Sequence, residues 1–260
     1  MTARKLSQIR NTHHNISKMH KRQLHIAKNI NNKLDKNAII AQADKGKTVV
    51  IIHEQEYHEK ARTFLSENNF EPTPLDPTNK YQAHITKMLK QRNLIFHKHQ
   101  HARLIKKNPT PPTMKAQLKL HKPGIPIRPV VNNRTAPTYK ATKKLNNILN
   151  QHLHLENLYT VKNFTKLANN LTKITLKDSY RLITLDTKDL YVNILIHEAL
   201  QTTRTQLYKH NNKTFTDQIC ILLEAMLNQK YFTYQTHIYW PTKVVAMGSP
   251  ISGLITEILL

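Results

Sequence analysis

The stretch LITLDTKDLY, residues 182–191, decides which fold to expect. It overlaps a segment, residues 180–185, that is rich in Leu, Ile and Thr, and this composition predicts a strand that is at least partly buried. Asp186 follows where that strand would leave the core. A carboxylate at a strand end can reach solvent and hard cations, as Mg²⁺ binding requires. Taken alone, Asp186 also fits an ordinary turn residue at the end of a strand.

A second stretch, AMGSPIS at residues 246–252, contains a glycine and a proline with particular backbone preferences. Gly248 allows the backbone to approach a ligand closely, or to adopt unusual torsion angles. Pro250 suits the first turn of a helix that would run through residues 251–260. Such a turn presents backbone amides towards an anion. Alone the pattern also fits a plain helix start, so its weight comes from its place in the chain after Asp186.

The chain is strongly basic, and its acidic residues are unevenly distributed. Lys and Arg number 40 against 16 Asp and Glu, which gives a formal net charge of +24. No acidic residue occurs between Asp76 and Glu156, nor from Met1 to Leu34. Charge of this size repels itself in a compact chain, and a polyanion relieves that repulsion. The composition therefore predicts a nucleic-acid partner whose affinity falls steeply with salt.

Three cations in the longer acid-free region are the best candidates for phosphate contacts. Arg128 leads them, because its guanidinium fork matches phosphate geometry and because Pro126 and Pro129 flank it. Lys119 and Lys122 come next. For most of the other lysines, a solvated surface position is the better interpretation.

The cysteine, the histidines and the apolar residues exclude several kinds of site and location. Cys220 is the one cysteine, which excludes an intramolecular disulfide and a thiolate metal site, and its apolar helical context predicts a small buried side chain. The histidines lack zinc-site spacing, and we expect His97, His99 and His101 to be polar, RNA-facing or simply solvated. No apolar run would span a bilayer and no signal-peptide core is present. We therefore expect no membrane partner and an intracellular location, nuclear or cytoplasmic.

Periodicity and turn residues predict the secondary structure. Three prolines within residues 108–113 predict a rigid extended connector, and residues 70–79 a proline-containing loop. Helices are expected at 55–67, 81–106, 139–155, 164–171, 196–208 and 214–227, after a basic helix or tail within 6–34. Strands are expected at 48–52, as a hairpin of 117–120 with 127–131, and as a short hairpin of 231–234 with 237–240.

Six landmarks, all in order, resemble the reverse transcriptases of Penelope-like retroelements. They are AQADKGKTVVII at 41–52, DPT at 76–78 with Tyr81, LKLHKPGIPIRPVV at 118–131, LYVNI at 190–194, YFTY at 231–234 and VAMGSP at 245–250. Two positions depart from the family pattern, since Leu118 stands where Leu-Pro is usual and Leu195 where Pro usually follows Asn-Ile. No Tyr/Phe-x-Asp-Asp occurs in the 260 residues, so we expect an incomplete active site.

The resemblance implies an α+β fold of the right-hand polymerase type, truncated to fingers and a partial palm. Residues 1–37 would form a basic helical or disordered arm, and residues 38–260 an incomplete reverse transcriptase domain. Within it the fingers would take residues 38–160 and 195–240, and the palm residues 161–194 and 241–260.

The same resemblance implies site roles in RNA-directed DNA synthesis, with an RNA template, a DNA primer and dNTP as partners. Asp186 would hold Mg²⁺, helped by the backbone carbonyl of Thr187. Tyr191 would check the sugar of the nucleotide, and the cations would neutralise its triphosphate. The nucleotide-binding residues would be Lys119, Lys122, Arg128, Asp189, Tyr191, Met247 and Gly248.

We expect that this polypeptide alone does not polymerise nucleotides, for a chemical reason. Nucleotidyl transfer uses two metal ions roughly 3.5–4 Å apart, and a lone carboxylate such as Asp186 cannot hold both. The alternative to a polymerase domain is a non-catalytic, basic nucleic-acid-binding remnant of a decayed retroelement.

Overall fold

The structure, a computed structural model, describes residues 18–155, 161, 163–181, 183–185, 187, 190, 194–241 and 248–259. These residues form a mixed α+β fold. The described helices are α1 (Lys18–Lys33), α2 (Glu54–Glu67), α3 (Thr78–Gln91), α4 (Lys98–Leu104), α5 (Tyr139–His152), α6 (Phe164–Leu171), α7 (Ile196–Tyr208), α8 (Lys213–Leu227) and α9 (Ser252–Leu259). The described strands are β1 (Ala38–Gln42), β2 (Val49–His53), β3 (Phe70–Thr73), β4 (Thr113–Leu118), β5 (Ile127–Asn132), β6 (Phe232–Tyr234) and β7 (His237–Pro241).

The strands form two sheets. Strands β1 and β2 make an antiparallel ribbon, and the other five are ordered β3-β7-β6-β4-β5. All pairs in the larger sheet are antiparallel except β4 with β6, which meet in parallel at Thr113 and Thr233. A bridge between Ala43 and Leu118 joins the ribbon to the larger sheet.

Beyond Thr113, side-chain and turn atoms take the place of a neighbouring strand along the edge of β4. The hydroxyl of Tyr57 accepts from the Ala116 N–H and donates to the Ala116 carbonyl, both at 3.0 Å. Farther along, the Asp44 N–H donates to the Leu118 carbonyl at 3.0 Å. Pro129 of β5 is paired with Ala116. Because both backbone polar groups of Ala116 point away from β5, this pair makes no hydrogen bond between the two strands. Pro129, which has no N–H, is therefore tolerated in β5.

Two hydrophobic clusters stabilise these layers. The larger one is mainly helical and draws on α3, α5, α7, α8 and α9, with fully buried side chains such as Leu89, Leu145 and Leu223. The smaller one lies between α2 and the sheets and includes Leu65, Phe70 and Leu118. Apolar residues recur every three or four positions along these helices, which is why one face of each is buried.

Most of the expected elements are confirmed. The β4–β5 hairpin, the β6–β7 hairpin, α2, α6, α7 and α8 form within a few residues of the predicted bounds, and Cys220 is buried on α8. The helix after Pro250 begins at Ser252. Of the basic N-terminal segment, residues 18–34 lie within the described residues, and Lys18–Lys33 is helical.

The single helix predicted over residues 81–106 is wrong, since two helices form instead. The chain turns after Gln91, and this turn places the Phe96 side chain in the core with no exposed surface. His101 is likewise buried, and its Nε2 lies 2.8 Å from the Phe96 carbonyl oxygen, so the solvated position expected for it is also wrong. Residues 70–79 differ too, because Phe70–Thr73 pairs with β7 and α3 begins at Thr78.

The buried strand predicted over residues 180–185 is not found among its described residues. Tyr180, Ile183 and Leu185 are 61%, 78% and 91% exposed, and no described strand pairs with this segment. An apolar composition forms a stable strand only when a neighbouring strand satisfies its backbone and a second layer covers its face. Neither a pairing strand nor a covering layer is present among the described residues. The composition of residues 180–185 was therefore not sufficient to predict a buried strand.

Candidate nucleic-acid interface

The outer surface of the β4–β5 hairpin carries basic side chains at positions set by the pairing of the two strands. Buried and exposed residues alternate along β5, so Arg128 and Val130 project from the same side. On β4, Gln117 lies opposite Arg128 and Lys115 lies opposite Val130. We call these four residues the hairpin face. Because the reverse side of both strands is buried in the smaller cluster, the hairpin face is the side that is open to a ligand.

Arg128 has a carboxylate beside it. Its Nη1 lies 3.6 Å from Oδ2 of Asp44, which belongs to the turn between β1 and β2. The Asp44 side chain is 1% exposed, whereas the Arg128 side chain is 52% exposed. Nδ1 of His121 lies 3.7 Å from the other oxygen, Oδ1. Arg128 therefore contacts an internal carboxylate on one side and faces solvent on the other.

The loop between β4 and β5 is held at its tip. Lys119 donates its N–H to the Pro126 carbonyl at 2.9 Å, and Lys122 donates its N–H to the Lys119 carbonyl at 3.0 Å. Nζ of Lys60 on α2 donates to the Gly124 carbonyl at 2.8 Å. Gly124 has a φ of 72°, which glycine adopts without strain. These bonds fix the loop that carries Lys119 and Lys122 beside Arg128.

A cleft of about 560 Å³ opens next to the hairpin face. Residues 130–134 of β5 and the following turn form one wall, and α5 forms another through Tyr139, Lys143, Asn146 and Asn147. These α5 positions recur at helical spacing, so they share one side of the helix. We call this pocket the β5–α5 cleft.

Gly248 lines the β5–α5 cleft and lies against β5. A Cβ built on Gly248 would overlap the carbonyl oxygen of Val131 and would lie 3.2 Å from its carbonyl carbon. The φ of Gly248 is 80°, a value that glycine adopts far more readily than other residues. Gly248 and Val131, which come from two landmarks more than a hundred residues apart in the chain, are thus in contact.

The chemistry of the β5–α5 cleft suits an anionic, hydrogen-bonding ligand. Arg134 and Lys143 supply positive charge, the asparagines supply amide donors and acceptors, and Tyr139 supplies a ring. None of the described residues that line the cleft is acidic. Cations bind phosphates, while amides and aromatic rings contact bases, so the combination fits a nucleic-acid strand.

The structure brings some of the predicted site residues together. Lys119, Lys122 and Arg128 share the β4–β5 hairpin and its loop, and Gly248 lies at the β5–α5 cleft beside the same strand. Thr187 is described only as an exposed residue. Four predicted site residues lie outside the described residues: Asp186, Asp189, Tyr191 and Met247.

Several contributors were not predicted as site residues. Asp44 belongs to the first landmark and Lys60 follows it in the chain, but neither had a predicted role, and the cleft residues of α5 were expected only as part of a helix. The signal that could have found Asp44 is its position, since it is an acidic residue in a turn that otherwise carries Lys45 and Lys47.

Neither a metal centre nor a membrane span is found in the part of the chain that the structure describes. No three His, Cys, Asp or Glu side chains come together there as potential metal ligands. None of the helices described there is both long and apolar enough to cross a membrane.

No family model matches the sequence, and no curated protein matches it either.

Proposed function

We propose that this chain is part of a right-hand polymerase of the reverse transcriptase type, and that its hairpin face and β5–α5 cleft bind a nucleic-acid strand and nucleotide phosphates. The observation that carries the proposal is the contact between Gly248 and Val131 at the β5–α5 cleft. It joins two of the resembling landmarks in one surface that has cations and amides but no acidic residue among its described lining residues.

Phosphate binding belongs to the hairpin in this proposal. Arg128 presents a half-exposed guanidinium, and Lys122 lies exposed on the neighbouring loop. A guanidinium can bind two phosphate oxygens at once, whereas a lysine acts as a point charge. Arg128 would therefore orient a triphosphate or backbone phosphate, and Lys122 with Lys119 would add attraction.

The β5–α5 cleft would take the strand itself. Lys143 and Arg134 would contact backbone phosphates, and Tyr139 would stack against a base. Asn146 and Asn147 can donate and accept hydrogen bonds with base edges. In the proposed domain organisation, residues 1–37 form an arm. The fingers comprise residues 38–160 and 195–240 and carry both surfaces. The palm comprises residues 161–194 and 241–260 and contributes Gly248.

The donor set of this polypeptide does not fit a two-ion polymerase centre. The proposed Mg²⁺ ligands are one carboxylate, that of Asp186, and the backbone carbonyl of Thr187, and two ions need further carboxylates to hold them. We therefore expect no primer extension from these 260 residues alone. The second candidate, a non-catalytic nucleic-acid-binding remnant, is favoured by this same deficit.

Fluorescence anisotropy with a labelled single-stranded RNA and with an RNA–DNA primer-template tests the binding function. We expect log affinity to fall linearly with log salt concentration, and Lys143→Ala to reduce the slope by about one unit. Lys144→Ala is the matched control, because it removes the same charge from the same helix but does not line the β5–α5 cleft. Equal loss in both variants, or binding insensitive to salt, would contradict the proposal.

A second comparison separates the polymerase lineage from the remnant. If a nucleotide site is retained, Mg²⁺ and dNTP together strengthen binding of the primer-template, and Asp186→Asn abolishes that gain. If the chain is only a binding remnant, Mg²⁺ and dNTP leave the affinity unchanged in both proteins. Asp186-dependent primer extension would overturn the expectation that the polypeptide is inactive.

A further inference from the structure

Asp44 is an internal carboxylate in the middle of a basic surface. Its side chain is 1% exposed, and its Oδ2 makes no hydrogen bond, although Nη1 of Arg128 lies 3.6 Å away. Taking a carboxylate out of water is costly unless cations or donors compensate for it. Among the described residues, Arg128 and His121 are the basic side chains that lie beside it.

The backbone leaves Asp44 little freedom to avoid this position. Its N–H donates to the Leu118 carbonyl at 3.0 Å, and the preceding residue, Ala43, bridges to Leu118. Leu118 is paired with Ile127, the residue immediately before Arg128. The turn between β1 and β2 is thus fixed against the hairpin at the point from which Arg128 projects.

We propose that Asp44 is a positioning residue for Arg128. It attracts one guanidinium nitrogen, so that the remaining donors of the fork stay directed towards a phosphate of the ligand. This inference rests on the proposed function, in which Arg128 binds phosphate. His121 flanks the second carboxylate oxygen, with its Nδ1 3.7 Å away.

Bulk electrostatics and positioning predict opposite signs for one substitution. Removing a negative charge next to a cationic surface raises its positive potential, so electrostatics alone predicts tighter binding of RNA by Asp44→Asn. Positioning predicts weaker binding, because the free guanidinium must lose more conformational entropy when it binds phosphate. The direction of the change is therefore diagnostic.

The experiment compares four variants with the wild-type chain by anisotropy with labelled single-stranded RNA at fixed salt. Asp44→Asn should weaken binding about five-fold, the scale of coupling between contacting residues. Glu67→Gln removes the same charge from an exposed position on α2 and should leave binding unchanged or slightly tighter. Arg128→Ala should weaken binding, and adding Asp44→Asn to Arg128→Ala should cause no further loss.

The outcomes separate the two proposals. Wild-type binding that is absent, or unaffected by Arg128→Ala, overturns the phosphate role of Arg128 and the positioning role with it. A loss in Arg128→Ala combined with unchanged or tighter binding by Asp44→Asn overturns the positioning role alone.

A measurement on the wild-type chain covers the case in which Asp44→Asn fails to fold. Nitrogen-15 relaxation and exchange of the arginine side chains should show slower guanidinium rotation for Arg128 than for Arg62, which is exposed on α2. Equal rotation rates for Arg128 and Arg62 would overturn the positioning role without any substitution.

Discussion

The hydroxyl of Tyr57 satisfies both backbone polar groups of Ala116, at 3.0 Å each, and so takes the place of a neighbouring strand along this part of β4. Ala116 is 3% exposed, so water does not reach these groups readily. Tyr57, a side chain of α2, thereby holds β4, one of the two strands that carry the hairpin face.

Tyr57→Phe should lower the free energy of unfolding by about 1–3 kcal/mol, because a buried N–H and a buried carbonyl lose their partner. Burial raises the pKa of Tyr57 above its usual 10.0, against a smaller lowering by the Ala116 hydrogen bond. The stabilisation is therefore complete below about pH 10 and is lost as the pH rises through the folded-state pKa. Urea unfolding at neutral and alkaline pH measures both effects.

Tyr180→Phe is the control for Tyr57→Phe. Tyr180 is 61% exposed, and loss of its hydroxyl should change the free energy of unfolding by less than about 0.5 kcal/mol. Equal effects of the two substitutions would show that Tyr57 does not secure β4.

Gly248→Ala should destabilise the protein by at least about 2 kcal/mol. A left-handed backbone costs about 1–2 kcal/mol with a Cβ, and overlap with the Val131 carbonyl adds to it. Gly253 is the matched control, because it lies in α9 and a Cβ added there would meet nothing within 4 Å, so Gly253→Ala should stabilise by about 0.5–1 kcal/mol. Urea denaturation of both variants decides the matter, and a neutral Gly248→Ala would refute the contact.

Leu185→Asn should leave the free energy of unfolding within about 0.5 kcal/mol of the wild-type value, since Leu185 is 91% exposed. Leu145→Ala, in the larger cluster, should cost about 2–5 kcal/mol. If Leu185→Asn costs as much as Leu145→Ala, residues 180–185 are buried in solution and the strand expected from their composition is present after all.

Cys220 should react with a thiol reagent only when the protein unfolds. The residue is 4% exposed, and burial raises the pKa of its thiol, which disfavours the reactive thiolate. The labelling rate in increasing urea should follow the unfolding transition, and Cys220→Ala should give no signal. Rapid stoichiometric labelling without denaturant would contradict the buried position.

Local signals in the sequence predicted the elements well. The β4–β5 hairpin and helices α6 to α8 were predicted because turn residues and apolar spacing are local properties of the sequence. The split between α3 and α4 was missed because burial of Phe96 depends on neighbours far along the chain. Periodicity contains no information about which distant strand will pair, so β3 with β7 could not be predicted.

The candidate site was predictable only in part, for the same reason. Arg128, Lys119 and Lys122 were found because acid-free composition and proline flanks are visible in one stretch. The neighbour relationships of Asp44 with Arg128 and of Gly248 with Val131 are contacts between distant segments, and only the folded chain shows them.

The pairing of β3 has a consequence for synthesis of the protein on the ribosome. Its hydrogen-bonding partner is β7, so Phe70–Thr73 has emerged long before His237–Pro241 is translated. At translation rates of about 5–20 residues per second, that interval is on the order of 10 s. During this time β3, which carries the apolar side chain of Phe70, lacks its pairing strand. We therefore expect the nascent chain to bind a chaperone that shields unpaired strands.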